Sequence, residues 1–432
     1  MVSASRSIRQ RARRSLAGAL LGASMLLLAA CSGDSVRGDF ARTFSENPAV
    51  AGFELSTADN QAFTGGLSAD VDVRPDASDD AFRSLVNQLS AFAAERSGTE
   101  VHITVHTPSI SLPVFPSATT TAAITDAAHN LLAVPGVESV EFVAASDEER
   151  ISAVTLDLSL PSPTDFTAAF ALAREAPDRL AEIATASGPH ITLRDPAAHF
   201  TVQGPPGMWW SNAEAALLGL TDPAPAAAVT GVRASSDGII IMLDDESEVA
   251  AATARLAEQA LANDYPVAFA SPLVSLGPDA TGAPARALLN GLGDDDRALI
   301  ESIWTDDARA TFSAASPADA EALASAISAQ PESAVFASLT IVVGAPDDPE
   351  LSVTAEPSQL GAVTTQASTV LDSPDITAVT VSPRKVTVTA PQSSSTDALQ
   401  DRLATIEGLA QPGARLCAER PDGTAECGNA PR

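Results

Sequence analysis

Val154-Thr155-Leu156-Asp157-Leu158-Ser159-Leu160, then Ser162-Pro163-Thr164-Asp165, then Phe166, Ala169, Phe170 and Ala173: this stretch decides how the chain folds. Apolar and polar residues first alternate with period two, the signature of a strand buried on one face. Ser162 then offers an N-cap, Pro163 a preset first helical residue, and Asp165 an acid facing the helix dipole. The apolar residues that follow recur at helical spacing, and Pro177 should break or end that helix. Strand, polar turn and amphipathic helix thus follow one another within about 25 residues.

The same order recurs along the chain. Leu67, Ala69, Val71 and Val73 alternate with Ser68, Asp70 and Asp72. Ile239 to Leu243 is a continuous apolar run that suggests burial on both faces, and Ala310, Phe312 and Ala314, then Val386, Val388 and Ala390, complete the series. Helical stripes follow each: Phe82, Leu85, Leu89 and Phe92; Val249, Leu256 and Ala260; Ala320, Leu323 and Ile327; Leu399, Leu403 and Ile406. Ser316-Pro317-Ala318-Asp319 repeats the start at Ser162. A second helix precedes each hairpin, as with Ile124, Ala128 and Leu131 before Val137, Val140 and Phe142, though the first copy lacks a clear leading helix.

The spacing predicts a unit of helix–strand–strand–helix–strand, about 80 residues, present about five times. The fold class is α+β, in two-layer, ferredoxin-like sandwiches. The expected boundaries are 1–30 for a signal peptide, 31–46 for a flexible tether, and 47–116, 117–206, 207–280, 281–356 and 357–432 for the repeats, the last with a C-terminal hairpin.

Composition narrows the function. The 432 residues exceed the ~250–300 at which single cores stop growing. With 25 Lys+Arg against 55 Asp+Glu the formal net charge is −30, which argues against nucleic-acid binding. Aromatic residues at 4% make stacking platforms scarce. The N-terminus reads as an export address: Arg6, Arg9, Arg11, Arg13 and Arg14 precede the apolar run Leu16 to Ala30. That run has 15 residues, short of the roughly 20 a spanning helix needs.

Leu28-Ala29-Ala30-Cys31 resembles the lipobox of bacterial lipoproteins. The resemblance implies diacylglycerol on the Cys31 sulfur, cleavage after Ala30 and an acylated new N-terminus, with the protein on the extracytoplasmic face of the cell membrane. The alternative is an ordinary cysteine after a conventional signal or in an uncleaved anchor. The order of elements, with Pro135-Gly136-Val137-Glu138-Ser139-Val140 and Val154-Thr155-Leu156, resembles the BON domain of bacterial envelope proteins, a family of binding modules. It departs from that pattern where Leu158-Ser159-Leu160 replaces the family's glycine.

Candidate chemistry is sparse. Cys417 and Cys427 flank Pro421-Asp422-Gly423-Thr424, a turn that could bring them together as a disulfide in an exported protein. His102 and His106 share a strand face about 13 Å apart, too far for one metal. His190 and His199 could meet near Asp195 only if a loop folds back, and His129 stands alone. Gly204-Pro205-Pro206-Gly207-Met208-Trp209-Trp210 is a possible interaction loop through Met208, Trp209 and Trp210, or else its indoles plug a seam between repeats. No catalytic residue, metal site or cofactor is assigned, since none of the familiar nucleophile, zinc or phosphate-loop patterns occurs. The expectation is a non-catalytic, membrane-anchored scaffold for other envelope proteins. The alternatives are a carrier of a small apolar ligand or lipid, and an enzyme of unrecognised type.

Overall fold

The computed structural model describes residues 31–56, 66–96, 100–145, 150–159, 166–180, 183, 190–195, 197, 199–205, 207–221, 228–258, 265–345 and 347–431. The signal peptide, most of the lipobox and the cap at Ser162 lie outside them. The chain is α+β, with its strands in two mixed sheets of eleven and nine members. It divides into two compact units, one running to Ala215 and including Gly231–Ser236, the other comprising Ala216–Thr230 and Asp237–Arg432.

The elements begin with α1 (Cys31–Phe44), β1 (Val50–Ser56), β2 (Leu67–Val73), α2 (Asp79–Ala94), β3 (Val101–His106) and β4 (Ile110–Val114). Then come α3 (Ala118–Leu132), β5 (Val137–Ala144), β6 (Ile151–Leu158), α4 (Phe166–Leu180), β7 (His190–Arg194), β8 (Phe200–Gly204), α5 (Trp209–Thr221) and β9 (Val229–Ser235). β10 (Gly238–Leu243), α6 (Val249–Glu258), β11 (Val267–Ala270), β12 (Val274–Leu276), α7 (Ala283–Gly291), α8 (Asp294–Arg297), β13 (Ser302–Thr305) and β14 (Arg309–Ala314) follow. The chain closes with α9 (Pro317–Ala329), β15 (Ser338–Ala345), β16 (Asp348–Ala355), α10 (Leu360–Leu371), β17 (Ala378–Ser382), β18 (Lys385–Thr389), α11 (Thr396–Ile406), β19 (Arg415–Glu419) and β20 (Ala425–Asn429).

The repeated α+β architecture is therefore present, and its shortest period is one helix and two strands. Among the described residues that period occurs ten times, from α1-β1-β2 to α11-β19-β20, with the short α8 as an insert. Each 80-residue unit spans two periods. In the first unit β2 to β9 lie in chain order, and in the second β12 to β20 do. Hairpin neighbours such as β5–β6 and β17–β18 are antiparallel, while strands joined through a helix, such as β6–β7 and β18–β19, are parallel and adjacent. No strand is inserted between parallel partners, which is where this sheet differs from a ferredoxin-like return.

Within each unit the helices share one face of the sheet. Phe82 of α2 stacks on His129 of α3 with centroids 5.8 Å apart. The Gly361 N–H of α10 donates to Ser328 Oγ of α9 at 3.0 Å, and a Cβ on Gly361 would lie 3.2 Å from Ser325 Cα. Strand direction reverses at each hairpin and persists through each crossover, while the sheet grows in one sense. With all helices on one side, successive crossovers must be of opposite hand, so every second one departs from a right-handed rule followed by about 98% of such connections.

Residues 31–46, expected as a flexible tether, instead hold α1. Val36, Phe40 and Phe44 recur every four residues and form an apolar stripe, and both phenylalanines are fully buried. Phe40 meets Phe53 of β1 at 5.5 Å and Phe92 of α2 at 5.2 Å, edge to face. The guanidinium of Arg96 lies 3.6 Å above the Phe92 ring and 3.6 Å from the Asp39 carboxylate. α1 is thus the leading helix missing from the first copy. Pro177 lies within the last turn of α4, which ends three residues later at Leu180.

In the second unit Arg286 of α7 ties together the start of the α6 segment, by an ion pair, and the end of β11. Arg286 donates from Nε to Glu246 Oε1 at 2.6 Å, and from Nη2 to Glu246 Oε2 at 3.1 Å and the Phe269 carbonyl at 2.8 Å. Ser271 Oγ donates to the same carboxylate and accepts the Val274 N–H, so the break between β11 and β12 leaves these groups paired.

Replacing Phe44 by Ala should cost about 3–5 kcal/mol in the first module. Hydrogen exchange should then show lost protection in α1, β1 and β2, with the amides of β13 to β19 unchanged. Unchanged exchange in α1 would mean that the helix is not held by this cluster.

Candidate interaction surface

Burial alternates along the strands: Leu67, Ala69 and Val71 of β2 are buried while Asp70 and Asp72 are exposed, and β4, β6, β14 and β15 keep the same rhythm. One face of each sheet meets helices and the other is open, so the ladder registers decide which residues stand together on it.

In the first unit the open face is charged and internally paired. Asp70 Oδ1 lies 3.6 Å from His106 Nε2, and Glu100 Oε1 lies 2.8 Å from His102 Nε2. Arg194 Nε donates to Asp157 Oδ1 at 2.6 Å, and Ser139 Oγ donates to Asp157 Oδ2 at 2.8 Å. Burial would raise the Asp157 carboxyl, but the hydrogen bonds from Arg194 and Ser139, with the Arg194 charge, outweigh it and hold the group below its ordinary 3.8. The same contact raises Arg194.

In the second unit the open face carries two rows of neutral and basic side chains. One row runs Ser275, Trp304, Thr311, Thr340 and Thr354, each paired in register with the next. Val353 opposes Val381, so the row passes to Ser382 and on to Lys385, Arg415 and Asn429. The other row runs Ser302, Ser313, Val342, Ser352, Thr380, Thr387, Cys417 and Cys427, of which Thr387 and Cys417 are buried. Neither contains a carboxylate. The hydroxyls of Thr340 and Thr354 are 2.9 Å apart, and those of Ser302 and Ser313 are 3.1 Å apart.

Cys417 and Cys427 are register partners joined by a disulfide that fastens β20 to β19. Asp422 caps the intervening turn: its carboxylate accepts the Thr424 N–H at 2.9 Å and the Gln392 amide at 2.7 Å, and these bonds lower it to about 2. Cys31 opens α1. Of Met208, Trp209 and Trp210, Met208 is 83% exposed, whereas Trp210 is 3% exposed. Trp209 Nε1 donates to the Pro205 carbonyl at 2.9 Å, and its ring fills the space a Cβ would need at Gly204 and Gly207. Trp209 is thus held by its own loop, and Trp210 is buried.

The histidines do not assemble. His190 opens β7, while His199 lies beyond its far end, where its Nδ1 is 3.2 Å from Asp195 Oδ2, roughly 16 Å away along the strand. Among the described residues no group of three or more His, Cys, Asp or Glu could hold a metal ion. A groove of about 550 Å³ runs between α3 and α4, lined by Ala122, Asp126, Asn130, Arg179 and Ile183. Another, of about 540 Å³, lies beside His129 and Phe82. Among the described residues no helix is long and apolar enough to cross a membrane. No family model matches the chain, and neither curated proteins nor solved structures give a match.

Asp157→Asn should lower stability by up to about 1 kcal/mol at neutral pH. Because the folded carboxyl is depressed, its contribution is complete above 3.8 and disappears as pH falls through the lower folded value, so variant and wild type should converge in acid. Urea unfolding at several pH values reads this, and a constant difference would refute it. Reducing Cys417–Cys427, which lie 10 residues apart, should remove about 3 kcal/mol of chain-entropy restraint. Exchange should rise in β20 and leave β17 and β18 protected.

Proposed function

We propose that the protein is a non-catalytic, lipid-anchored scaffold on the extracytoplasmic face of the cell membrane, offering its open sheet faces to other envelope components. The observation that carries this reading is the repeated module, whose described helices leave one face of each sheet uncovered. Repeat architectures commonly use such continuous faces for binding.

The anchor reading rests on the sequence that ends in Leu28-Ala29-Ala30-Cys31. Cleavage before Cys31 removes five arginines and no acid, taking the formal charge from −30 to −35. A body of that charge is repelled by anionic head groups, so attachment falls to acyl chains, each buried methylene contributing about 0.8 kcal/mol. Since α1 starts at Cys31, the first module would follow the lipid without a spacer. The disulfide fits an oxidising compartment outside the cytoplasm.

The test is intact mass spectrometry of protein gently extracted from membranes, with Cys31→Ala as control. Loss of residues 1–30 together with an acyl mass increment that disappears in the variant is the expected result. A chain starting at Met1, or cleaved elsewhere and unmodified, would overturn the anchor. Native mass spectrometry of the same extract should retain a heavier protein complex, and a bare monomer at every detergent concentration would sink the scaffold.

A further inference from the structure

We propose that the open face of the nine-stranded sheet binds a linear anionic polysaccharide laid across the strands, with Lys385 and Arg415 holding its negative groups and Thr311, Thr340 and Thr354 hydrogen-bonding its hydroxyls. This goes beyond the anchored-scaffold reading and does not depend on Cys31.

Charge is the first argument. The chain carries 55 acids and a single lysine, and that lysine is Lys385. Lys385 is the register neighbour of Arg415 on β19, which puts two cations at one end of a carboxylate-free row, and Arg384 lies in the adjoining turn, where its carbonyl accepts the Arg415 N–H. Lys385 and Arg415 are exposed, and the strand acids that alternate onto this face, Asp348, Glu350 and Glu419, lie toward the opposite strand ends. A cationic cluster in so acidic a protein attracts an anionic partner at short range while the rest of the molecule repels one, which fixes where the partner sits.

Shape is the second. From Trp304 on β13 to Arg415 on β19 the row crosses six strand spacings, about 29 Å in all. It is an open face and not a pocket, so it suits an extended chain and not a small molecule. The chemistry of the row agrees. Protein-binding patches are enriched in aromatics and depleted in serine at their centres, whereas this row is hydroxyl after hydroxyl with one indole. Each threonine hydroxyl donates once and accepts twice, so the Thr340–Thr354 pair keeps capacity for a polyol. Nucleic acid would require more cations and stacking rings.

The test uses the full chain in non-ionic detergent, with dextran sulfate, unsulfated dextran of equal length and long-chain polyphosphate as probes in calorimetric titration. Dextran sulfate should bind at least tenfold more tightly than either of the others. Lys385→Gln with Arg415→Gln should weaken it at least tenfold. Thr311→Val with Thr340→Val and Thr354→Val, which keep the β-branched shape, should weaken it at least threefold, and Cys31→Ala should leave it unchanged. Hydrogen exchange over β14 to β18 confirms that each variant is folded. Equal affinity for polyphosphate would reduce the site to a bare ion patch and overturn the proposal. So would wild-type binding by a folded charge variant or threonine variant, or no binding at all.

Discussion

Along most strands buried and more exposed residues alternate, and in each sheet the ladder registers bring the buried apolar ones to the same side. Ala69 stands beside Ile103, Val154 beside Ile191, Phe312 beside Ile341 and Val388 beside Ala418. The helices have one apolar surface to cover and must all lie on it. Because hairpins reverse the strand while the sheet keeps growing in one sense, this burial can be satisfied in chain order only if every second crossover takes the less common hand. The energy of burying one continuous face has outweighed the local preference for right-handed crossovers. The module has no second face to offer, so the open side follows from the same constraint.

That constraint explains what could be read in advance. Period-two and helical apolar spacing locate most strands and helices directly, including the stripe of α2 and the Ser316 cap of α9, whose Oγ accepts the Asp319 N–H at 3.2 Å. Strand order is another matter. A βαββαβ pattern with right-handed crossovers on one face must turn back on itself, and a ferredoxin-like return is what local rules predict. Only the registers reveal that the sheet runs on. The leading helix was obscured for a different reason: the Ser-, Gly- and Asp-containing stretch after Cys31 has the composition of a linker, and two phenylalanines four residues apart decide against it. Phe40 and Phe44 gain their partners, Phe53 and Phe92, from segments distant in sequence.

The candidate surface was legible in its parts and not as a whole. Cys417 and Cys427 could be paired from the turn between them, because a hairpin places its own ends together. The indoles of Trp209 and Trp210 drew attention as an apolar loop, yet Gly204 and Gly207 leave room for one ring and the core takes the other. Thr311, Thr340, Thr354 and Lys385 come from four separate strands. Each looks like an ordinary outward residue until the registers place them in one line, although the absence of acid among them in so acidic a chain was a signal available from the start.

The two open faces differ in what covering them would cost. On the first unit Asp70, Asp157 and Glu100 are charged groups with near neighbours, and a partner laid over them would strip water from those ions. Desolvating an ion pair is expensive even when the pair survives, because low dielectric returns only part of what hydration gave. Hydroxyls lose much less, since a partner's own donors and acceptors can replace water one for one. Paired charge therefore makes the first face the costlier one to cover, while neutral rows ending in cations suit the second face to a partner rich in hydroxyls and negative charge. The charge pattern along the strands thus assigns different roles to two faces built by the same repeated module.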